Sequence, residues 1–191
     1  GKLAKTLISK DAFYEMCDKY GIDYPKTVVL RTVSDMEKLA ALPFAYPIII
    51  KPASSIRYWQ HPFDGMKKVY KADNPKEAES IIKQIFSSGY DDAVIVQDFI
   101  PGDDSGMYVL TAYSDRNAKV KMMCLGHVLL EEHTPKGLGN HAAILTEYQA
   151  ELMEKMKAFL ESTGYQGFSN FDIKFDPRDG KFKVFEINLR Q

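Results

Sequence analysis

The chain has 191 residues, of which 45% are hydrophobic and 27% are charged, with a formal net charge of −1. This nearly balanced charge gives no electrostatic reason to bind nucleic acid or an anionic membrane, and no apolar run approaches the roughly 20 residues of a membrane-spanning helix. Two widely separated cysteines, Cys17 and Cys124, fit a reducing compartment. We therefore expect a cytoplasmic protein with one core or two small lobes, and with no nucleic-acid or membrane partner.

Capping residues and apolar stripes predict four helices. The predicted helices begin at Ser9, Ser34, Asn74 and Thr146, and three of them end at Gly21, Gly89 and Gly164. Glu37 and Gln149 follow Ser34 and Thr146 at the spacing of a capping box. Pro75 directly follows Asn74, and proline is favoured in the first turn of a helix.

Strand-like runs lie between and after these helices. They are TVVLR (27–31), PIIIKP (47–52), KKVYKA (67–72), AVIVQDFI (93–100), MYVLTAY (107–113), VKMMCLGHVLLEE (120–132), GFSNFDIKFD (167–176) and KFKVFEINL (181–189). Several neighbouring runs look like antiparallel hairpins, so we predict the α+β class rather than a doubly wound parallel sheet. The irregular segment IPGDD (100–104) is the best internal boundary, and it predicts two lobes, 1–100 and 101–191.

The end of the chain alternates polar and apolar residues. Glu186, Asn188 and Arg190 share one face of the last predicted strand, because side chains of a strand alternate with period two. The strand before it carries Asp172 and Lys174 on its polar face, and Asp179-Gly180 marks a hairpin turn. A hairpin loop of three or five residues would place Asp172 directly or diagonally opposite Glu186.

Two facing carboxylates repel each other, and a divalent cation would relieve the repulsion. Asp172, Glu186 and Asn188 offer only oxygen ligands, which suits magnesium, with manganese as an alternative. In the competing interpretation, Arg190 and Lys174 neutralise a structural carboxylate pair. None of the four histidines has the spacing of zinc ligands, so we expect no zinc site.

Two other segments have a polar group where an apolar strand ends. Lys51 ends the run PIIIK and precedes Ser54 and Ser55. This arrangement suits a phosphate clamp, and the alternative is an ordinary lysine whose ammonium reaches solvent. The run VIVQDFIPGDD could offer backbone groups to a planar base and Asp104 to ribose hydroxyls, or it could be a plain strand-to-turn junction.

Taken together, five segments resemble the ATP-grasp superfamily in their order and approximate spacing. They are SKDAFYEMCDKYGIDYP (9–25), IIIKPAS (48–54), VIVQDFIPGDD (94–104), NFDIKFD (170–176) and VFEINLR (184–190), and together they span essentially the whole chain. The closing D…E-I-N-x-R pattern is the most specific of them. The resemblance implies two α+β lobes with ATP between them and magnesium bridging its phosphates.

The resemblance also implies a role for each matching residue. Contacts to the phosphates or to the adenine region are implied for Lys10 and Lys51, an adenine-binding hinge for Gln97, Asp98, Phe99 and Ile100, a ribose contact for Asp104, and metal ligation for Asp172, Glu186 and Asn188. Arg190 would face the transferred phosphoryl group or acyl phosphate. Lys136 would suit a loop near the γ-phosphate, although a surface hairpin loop explains that segment equally well. Gln97 replaces the usual acidic residue, and the loop after Lys51 lacks the usual glycines.

The implied activity is that of an ATP-dependent carboxylate–amine ligase acting through an acyl phosphate on small-molecule substrates. The segment 51–70 is similar to cell-wall D-aspartate ligases and other bacterial amino-acid ligases, so a peptidoglycan precursor is one candidate substrate. The alternatives are a phosphotransferase like carbamoyl-phosphate synthase, and a non-catalytic nucleotide-binding module. Such enzymes carry an N-terminal α/β substrate domain, so we expect these 191 residues to be a fragment that binds ATP weakly and makes no amide.

Overall fold

The computed structural model describes residues 2–132 and 140–189, and it confirms the α+β class. Its helices are α1 (Lys2–Ile8), α2 (Lys10–Tyr20), α3 (Ser55–Tyr58), α4 (Pro75–Ser87) and α5 (Ala150–Thr163). Its strands are β1 (Thr27–Leu30), β2 (Ile48–Pro52), β3 (Tyr70–Ala72), β4 (Val94–Asp98), β5 (Met107–Ser114), β6 (Val120–Glu131), β7 (His141–Glu147), β8 (Gly167–Asp176) and β9 (Lys181–Asn188). Short 3-10 helices cover Val33–Ala41 and Asp104–Gly106.

The chain forms two compact units that differ from the predicted lobes. The middle unit is Pro25–Phe99, and the composite unit joins the residues up to Tyr24 to those from Ile100 onward. The predicted boundary near residue 100 therefore coincides with one end of the middle unit. The prediction that 1–100 forms one lobe is wrong for the first two helices, because α1 and α2 pack against β9 at the other end of the chain.

The middle unit is a four-stranded antiparallel sheet covered by α4. The strand order is β1-β4-β2-β3. Asn74 caps α4 by accepting a hydrogen bond from the backbone N–H of Glu77 at 3.0 Å, as the Asn-Pro signal predicted. Ile82 and Ile85 lie one turn apart on the helix and are fully buried with Ile50 of the sheet. Burial of this apolar layer stabilises the unit.

The composite unit is a five-stranded antiparallel sheet in the order β7-β6-β5-β8-β9. Its core joins both ends of the chain through aromatic contacts. The ring of Phe159 on α5 meets Phe13 on α2 edge to face at 6.3 Å, and it meets Phe171 on β8 at 6.1 Å. The sheet is therefore covered by α5 together with α2, and this packing fixes the start of α2 near β9.

Two predicted capping boxes do not form. The helix expected to begin at Ser34 is a 3-10 helix that follows Thr32, whose box partner is Asp35. Thr146 lies within β7, and α5 begins only at Ala150. Helices α1 and α3 and the strand β7 were not predicted. Among the residues that the structure describes, no helix has the length and apolar character needed to cross a membrane.

Candidate functional site

The β8–β9 hairpin places Asp172 directly opposite Glu186, as the alternating pattern predicted. The loop is not three or five residues long. Asp176 pairs with Lys181 across a four-residue loop, 177–180. By itself this register would place Asp172 opposite Phe185, with the polar side chains of the two strands on opposite faces of the sheet. A bulge corrects this, because Ile173 pairs with Val184 and the extra residue Phe185 has no opposite partner. We call Asp172 and Glu186 the carboxylate pair.

Two polar side chains contact the carboxylate pair from the same unit. The amide nitrogen of Asn188 donates to Oδ2 of Asp172 at 3.3 Å. The ammonium of Lys10, at the start of α2, lies 3.2 Å from Oε2 of Glu186. The Lys10 side chain is only 12% exposed and that of Glu186 is 32% exposed, so water screens this ion pair incompletely. The structure thus brings together four of the predicted site residues.

His141, at the start of β7, is a neighbour of this site that the sequence did not reveal. Its Nε2 lies 3.9 Å from Oδ1 of Asp172, and its Nδ1 lies 3.6 Å from Oε1 of Glu131. The side chain is 11% exposed. The Asp172 carboxylate raises the pKa of His141 above its usual value, and this outweighs the opposing effect of burial. No sequence signal pointed here, since β7 itself was not predicted.

The donor set at the carboxylate pair fits a hard divalent cation. Two carboxylates on adjacent strands and the carboxamide of Asn188 supply oxygen ligands of the kind that magnesium and manganese prefer. The set includes only two acidic side chains. Accordingly, among residues 2–132 and 140–189 no cluster of three or more His, Cys, Asp or Glu side chains is arranged to hold a metal ion. A metal here would need Asn188, and oxygens from a ligand or water, to complete its shell.

The predicted phosphate residues of the middle unit lie on an anchored segment. Lys51 is buried on β2, opposite Ile95. Ser54 caps the short helix α3, and its backbone N–H donates to the hydroxyl of Tyr90 at 3.1 Å. That hydroxyl donates in turn to the carbonyl of Ala93 at 3.0 Å. Ser55, also a predicted phosphate contact, is the first residue of α3.

The segment after Lys51 is held by buried tyrosines instead of being rich in glycine. The hydroxyls of Tyr58 and Tyr70 lie 2.7 Å apart. The Tyr58 hydroxyl donates to the carbonyl of Lys67 at 3.0 Å, and the Tyr70 hydroxyl accepts from the backbone N–H of Lys67 at 2.8 Å. Tyr58, Tyr70 and Tyr90 are the tyrosine network of the middle unit. Burial raises the pKa of Tyr58, and it raises the pKa of Tyr90 to about 12, so both stay neutral donors.

The predicted adenine hinge runs across the end of the middle unit. Gln97 is buried on β4 and donates from its side-chain amide to the hydroxyl of Thr27 at 2.8 Å, so this amide takes part in bonding within the sheet. The Asp98 backbone N–H donates to the carbonyl of Lys26 at 2.9 Å. The ammonium of Lys71 lies 5.1 Å from the centre of the Phe99 ring. Ile100 is buried in the composite unit.

The remaining predicted residues have separate surroundings or lie outside the described residues. Oδ2 of Asp104 accepts a hydrogen bond from the backbone N–H of Glu131 at 3.0 Å, which ties the 3-10 turn to β6. A ribose contact by Asp104 would have to share or replace this bond. Arg190 and Lys136, predicted to act on the phosphoryl group, are outside the residues that the structure describes.

One curated protein and many solved structures are similar to this chain. D-aspartate ligase of Enterococcus faecium (strain Aus0004) is 47% identical over 191 residues, covering 99% of this chain and 45% of that protein. The L-amino acid ligase of Bacillus licheniformis has a TM-score of 0.68 at 17% identity, covering 98% of this chain and 41% of that chain. No protein-family model matches the chain.

A third relative was solved with a nucleotide. It is the biotin carboxylase domain of Hydrogenobacter thermophilus 2-oxoglutarate carboxylase, in complex with magnesium ADP and bicarbonate. Its TM-score is 0.71 at 14% identity, covering 100% of this chain and 41% of that chain. The present chain thus spans less than half the length of each of these three relatives.

Proposed function

We propose that this chain, which has the ATP-grasp fold that its sequence resembles, is the nucleotide-binding part of an ATP-dependent carboxylate–amine ligase. The observation that carries the proposal is the carboxylate pair, with Asn188 and Lys10 at its two sides. The identity of 47% to D-aspartate ligase supports D-aspartate as the acid substrate. We further propose a peptidoglycan precursor as the amine substrate and the cytoplasm as the compartment, where the free thiols Cys17 and Cys124 would stay reduced.

In the proposed reaction, the substrate carboxylate attacks the γ-phosphorus of ATP, forming an acyl phosphate and releasing ADP. The amine nitrogen then attacks the acyl carbon, phosphate leaves, and loss of a proton from nitrogen gives the amide. This chemistry asks the protein mainly to align the reactants and to offset negative charge. Magnesium, held by the carboxylate pair and Asn188, would supply part of that positive charge.

The chain's own residues would supply the rest of the binding. In the middle unit, we assign phosphate contacts to Lys51, Ser54 and Ser55, and adenine contacts to the segment 97–100, whose last residue belongs to the composite unit. In the composite unit, we assign a phosphate contact to Lys10 and a ribose contact to Asp104. Arg190 and Lys136 remain our candidates for contacts to the transferred phosphoryl group. Lys51 lies near the end of β2, three residues before Ser54, and this proximity supports its assignment to the same phosphate group.

Calorimetry on a full-length protein that carries this chain tests the nucleotide site. We expect Glu186→Gln to keep the fold and to weaken magnesium–ATP binding by about tenfold or more, because one ligand charge is lost while the shape is kept. Glu161→Gln is the matched control, since Glu161, on α5, accepts hydrogen bonds from the Lys119 ammonium at 3.0 Å and from the backbone N–H of Val120, the first residue of β6, at 3.2 Å. Wild-type affinity in Glu186→Gln would show that the metal assignment is wrong.

A phosphate-release assay tests the ligase reaction itself. With ATP, magnesium and D-aspartate, phosphate should appear only when an acceptor amine is also present, together with an equal amount of amide. Phosphate or a stable phosphorylated acid formed without any amine would favour a phosphotransferase instead. Tight ATP binding without turnover on any pair of amino-acid substrates would favour a non-catalytic nucleotide-binding module.

A further inference from the structure

We infer that Lys10 is a resident counter-cation of Glu186, which a divalent metal must displace, so that metal binding sends this lysine toward the nucleotide phosphates. The inference rests on the proposed function and concerns how its metal and nucleotide sites are coupled. Its starting point is the 3.2 Å ion pair between the Lys10 ammonium and Oε2 of Glu186. Because Asp172 stands directly opposite Glu186, this ammonium also offsets the repulsion within the carboxylate pair.

The backbone of Lys10 is fixed while its ammonium can move. Tyr14, one helical turn further along α2, donates its hydroxyl to the carbonyl of Phe185 at 2.8 Å, next to Glu186 on β9. Phe13 and Cys17 of the same helix are buried in the core of the composite unit. The helix is therefore anchored to β9 at the bulge residue Phe185 and to the core of the composite unit. Lysine has a flexible four-carbon stem, so its charge can shift without any movement of the helix.

The position of Lys10 in its helix is unfavourable for a cation. Lys10 is the first residue of α2, directly after Ser9, and the positive end of the helix dipole lies there. Lys19, in contrast, occupies the last turn, where a cation is favoured. Helix stability alone would favour a lysine in the last turn, where Lys19 lies, and not at the first residue, where Lys10 lies. The contact with Glu186 gives Lys10 an electrostatic reason to be there.

A metal ion and the Lys10 ammonium compete for the same oxygen. A divalent cation bound by the carboxylate pair would use the Glu186 oxygens, and an ammonium 3.2 Å from one of them would repel it. His141, 3.9 Å from Asp172, and the Asn188 amide also face the pair. Lys10 must swing away when the metal arrives, and the phosphates of the nucleotide are the anions that would receive its charge.

This competition predicts opposite effects of Lys10 on two binding reactions. The lysine lowers the affinity for a metal ion alone, because the metal must break an existing ion pair. It raises the affinity for the metal together with ATP, because the released ammonium gains phosphate contacts. Since coupling between two ligands is reciprocal, ATP should raise the affinity for the metal by a factor that depends on Lys10.

The test measures the affinity of the full-length protein for manganese, by calorimetry and by electron paramagnetic resonance, which detects free Mn²⁺. In Lys10→Met, we expect Mn²⁺ alone to bind about tenfold tighter than in wild type, and ATP with Mn²⁺ to bind about tenfold weaker, within the usual range of coupling between sites. Lys10→Gln should change both affinities in the same directions. Lys19→Met, at the other end of the same helix, should leave both affinities unchanged.

Two results would overturn the inference, and they separate it from the proposed function. If Mn²⁺ with ATP binds wild type but not Glu186→Gln, while Lys10→Met leaves the affinity for Mn²⁺ alone unchanged or lower, then the metal site stands and the competition by Lys10 is wrong. If Mn²⁺ binding is the same in wild type and Glu186→Gln with ATP present, then both the inference and the proposed metal site are wrong. Thermal unfolding of each variant confirms that it is folded before binding is compared.

Discussion

The two units satisfy their polar groups in different ways. In the middle unit, the buried hydroxyls of the tyrosine network bond to one another and to backbone groups, so every partner is neutral. In the composite unit, the polar face of β8 and β9 carries charges that face each other, as with Asp172 and Glu186. Hydrogen bonds between neutral groups inside a packed core stabilise a fold. Partly exposed carboxylates that face each other can instead exchange their present partners for a ligand.

The difference separates positions that hold the fold from positions that bind. Loss of a member of the tyrosine network should directly lower the free energy of unfolding, and it should lower ligand affinity only through this loss of stability. Loss of one of the carboxylate pair should change ligand binding while the fold remains. The composite unit also contains its own test of this distinction, because β8 carries a second aspartate, Asp176, whose charge is completely buried.

The largest effect is expected for Tyr58→Ala. Tyr58 is fully buried and its ring packs against Phe63 and Tyr90 at 6.0 and 5.6 Å. Removing a buried aromatic ring should lower the free energy of unfolding by about 3–5 kcal/mol, as measured by urea denaturation. Trp59→Ala is the matched control, because the neighbouring Trp59 is 57% exposed and its loss should cost about 0.5 kcal/mol or less. Equal losses in the two variants would contradict the assignment of Tyr58 as the anchor.

Asp176→Asn should have the next largest effect. The carboxylate accepts hydrogen bonds from Nε and Nη2 of Arg178 at 2.9 and 2.7 Å, and from Nζ of Lys183 at 2.7 Å. Bonds to charged groups are stronger than neutral ones, so the variant should lose about 2 kcal/mol of unfolding free energy. Its affinity for metal should not change, because Asp176 does not contact the carboxylate pair in the described residues. A large loss of metal binding would contradict this separation of roles along β8.

The same aspartate predicts how stability changes with pH. The bonds from Arg178 and Lys183 lower the pKa of Asp176 in the folded chain below its usual value of 3.8. A carboxyl whose pKa is lower in the folded than in the unfolded state stabilises the fold at every pH above its unfolded pKa, and this stabilisation is lost as the pH falls toward the folded value. Urea denaturation from pH 6 down to about 2 should therefore show a smaller acid loss of stability in Asp176→Asn than in wild type. Parallel pH profiles would contradict it.

Asp172→Asn should affect binding more than stability. Removing one charge of the carboxylate pair should weaken Mn²⁺–ATP binding by about tenfold, which corresponds to about 1.4 kcal/mol. The free energy of unfolding should stay the same or rise by a few tenths of a kcal/mol, since two like charges no longer face each other across the strands. A loss of stability comparable to that of Asp176→Asn would mean that the carboxylate pair is structural.

The sequence was sufficient to predict features that depend on the alternation of polar and apolar residues within a strand and on the pairing of neighbouring strands. Alternation in β8 and β9 was enough to predict that Asp172 faces Glu186, although the bulge at Phe185 that makes this register possible was not visible. Bulges depend on the competition between turn geometry and burial, and each strand alone carries no trace of that competition. The fold class followed in the same way from strands in neighbouring pairs.

Features that depend on distant contacts were not predictable. The proximity of His141 to Asp172, and that of Lys10 to Glu186, requires the whole composite sheet and the return of α2 to β9. Thr146 had the spacing of a helix cap, but pairing with Gly126 keeps it in β7. Tertiary pairing overrode a local preference there. In the segment after Lys51, the bond from the Ser54 backbone N–H to the Tyr90 hydroxyl spans 36 residues and had no local signal either.

The smallest effect is expected for Tyr90→Phe, which removes one hydroxyl and keeps the ring. The carbonyl of Ala93 keeps a second bond, from the backbone N–H of Ala53 at 2.8 Å, whereas the backbone N–H of Ser54 loses its bond to the hydroxyl. We expect a loss of about 1 kcal/mol in unfolding free energy and faster hydrogen exchange at the Ser54 amide. If Ser54 and Ser55 contact phosphate as proposed, the loosened segment should also weaken ATP binding about twofold to fivefold, by raising the entropic cost of ordering it. Unchanged exchange at Ser54 would show that Tyr90 does not anchor the segment, and faster exchange with unchanged ATP affinity would show that the segment does not contact the phosphates.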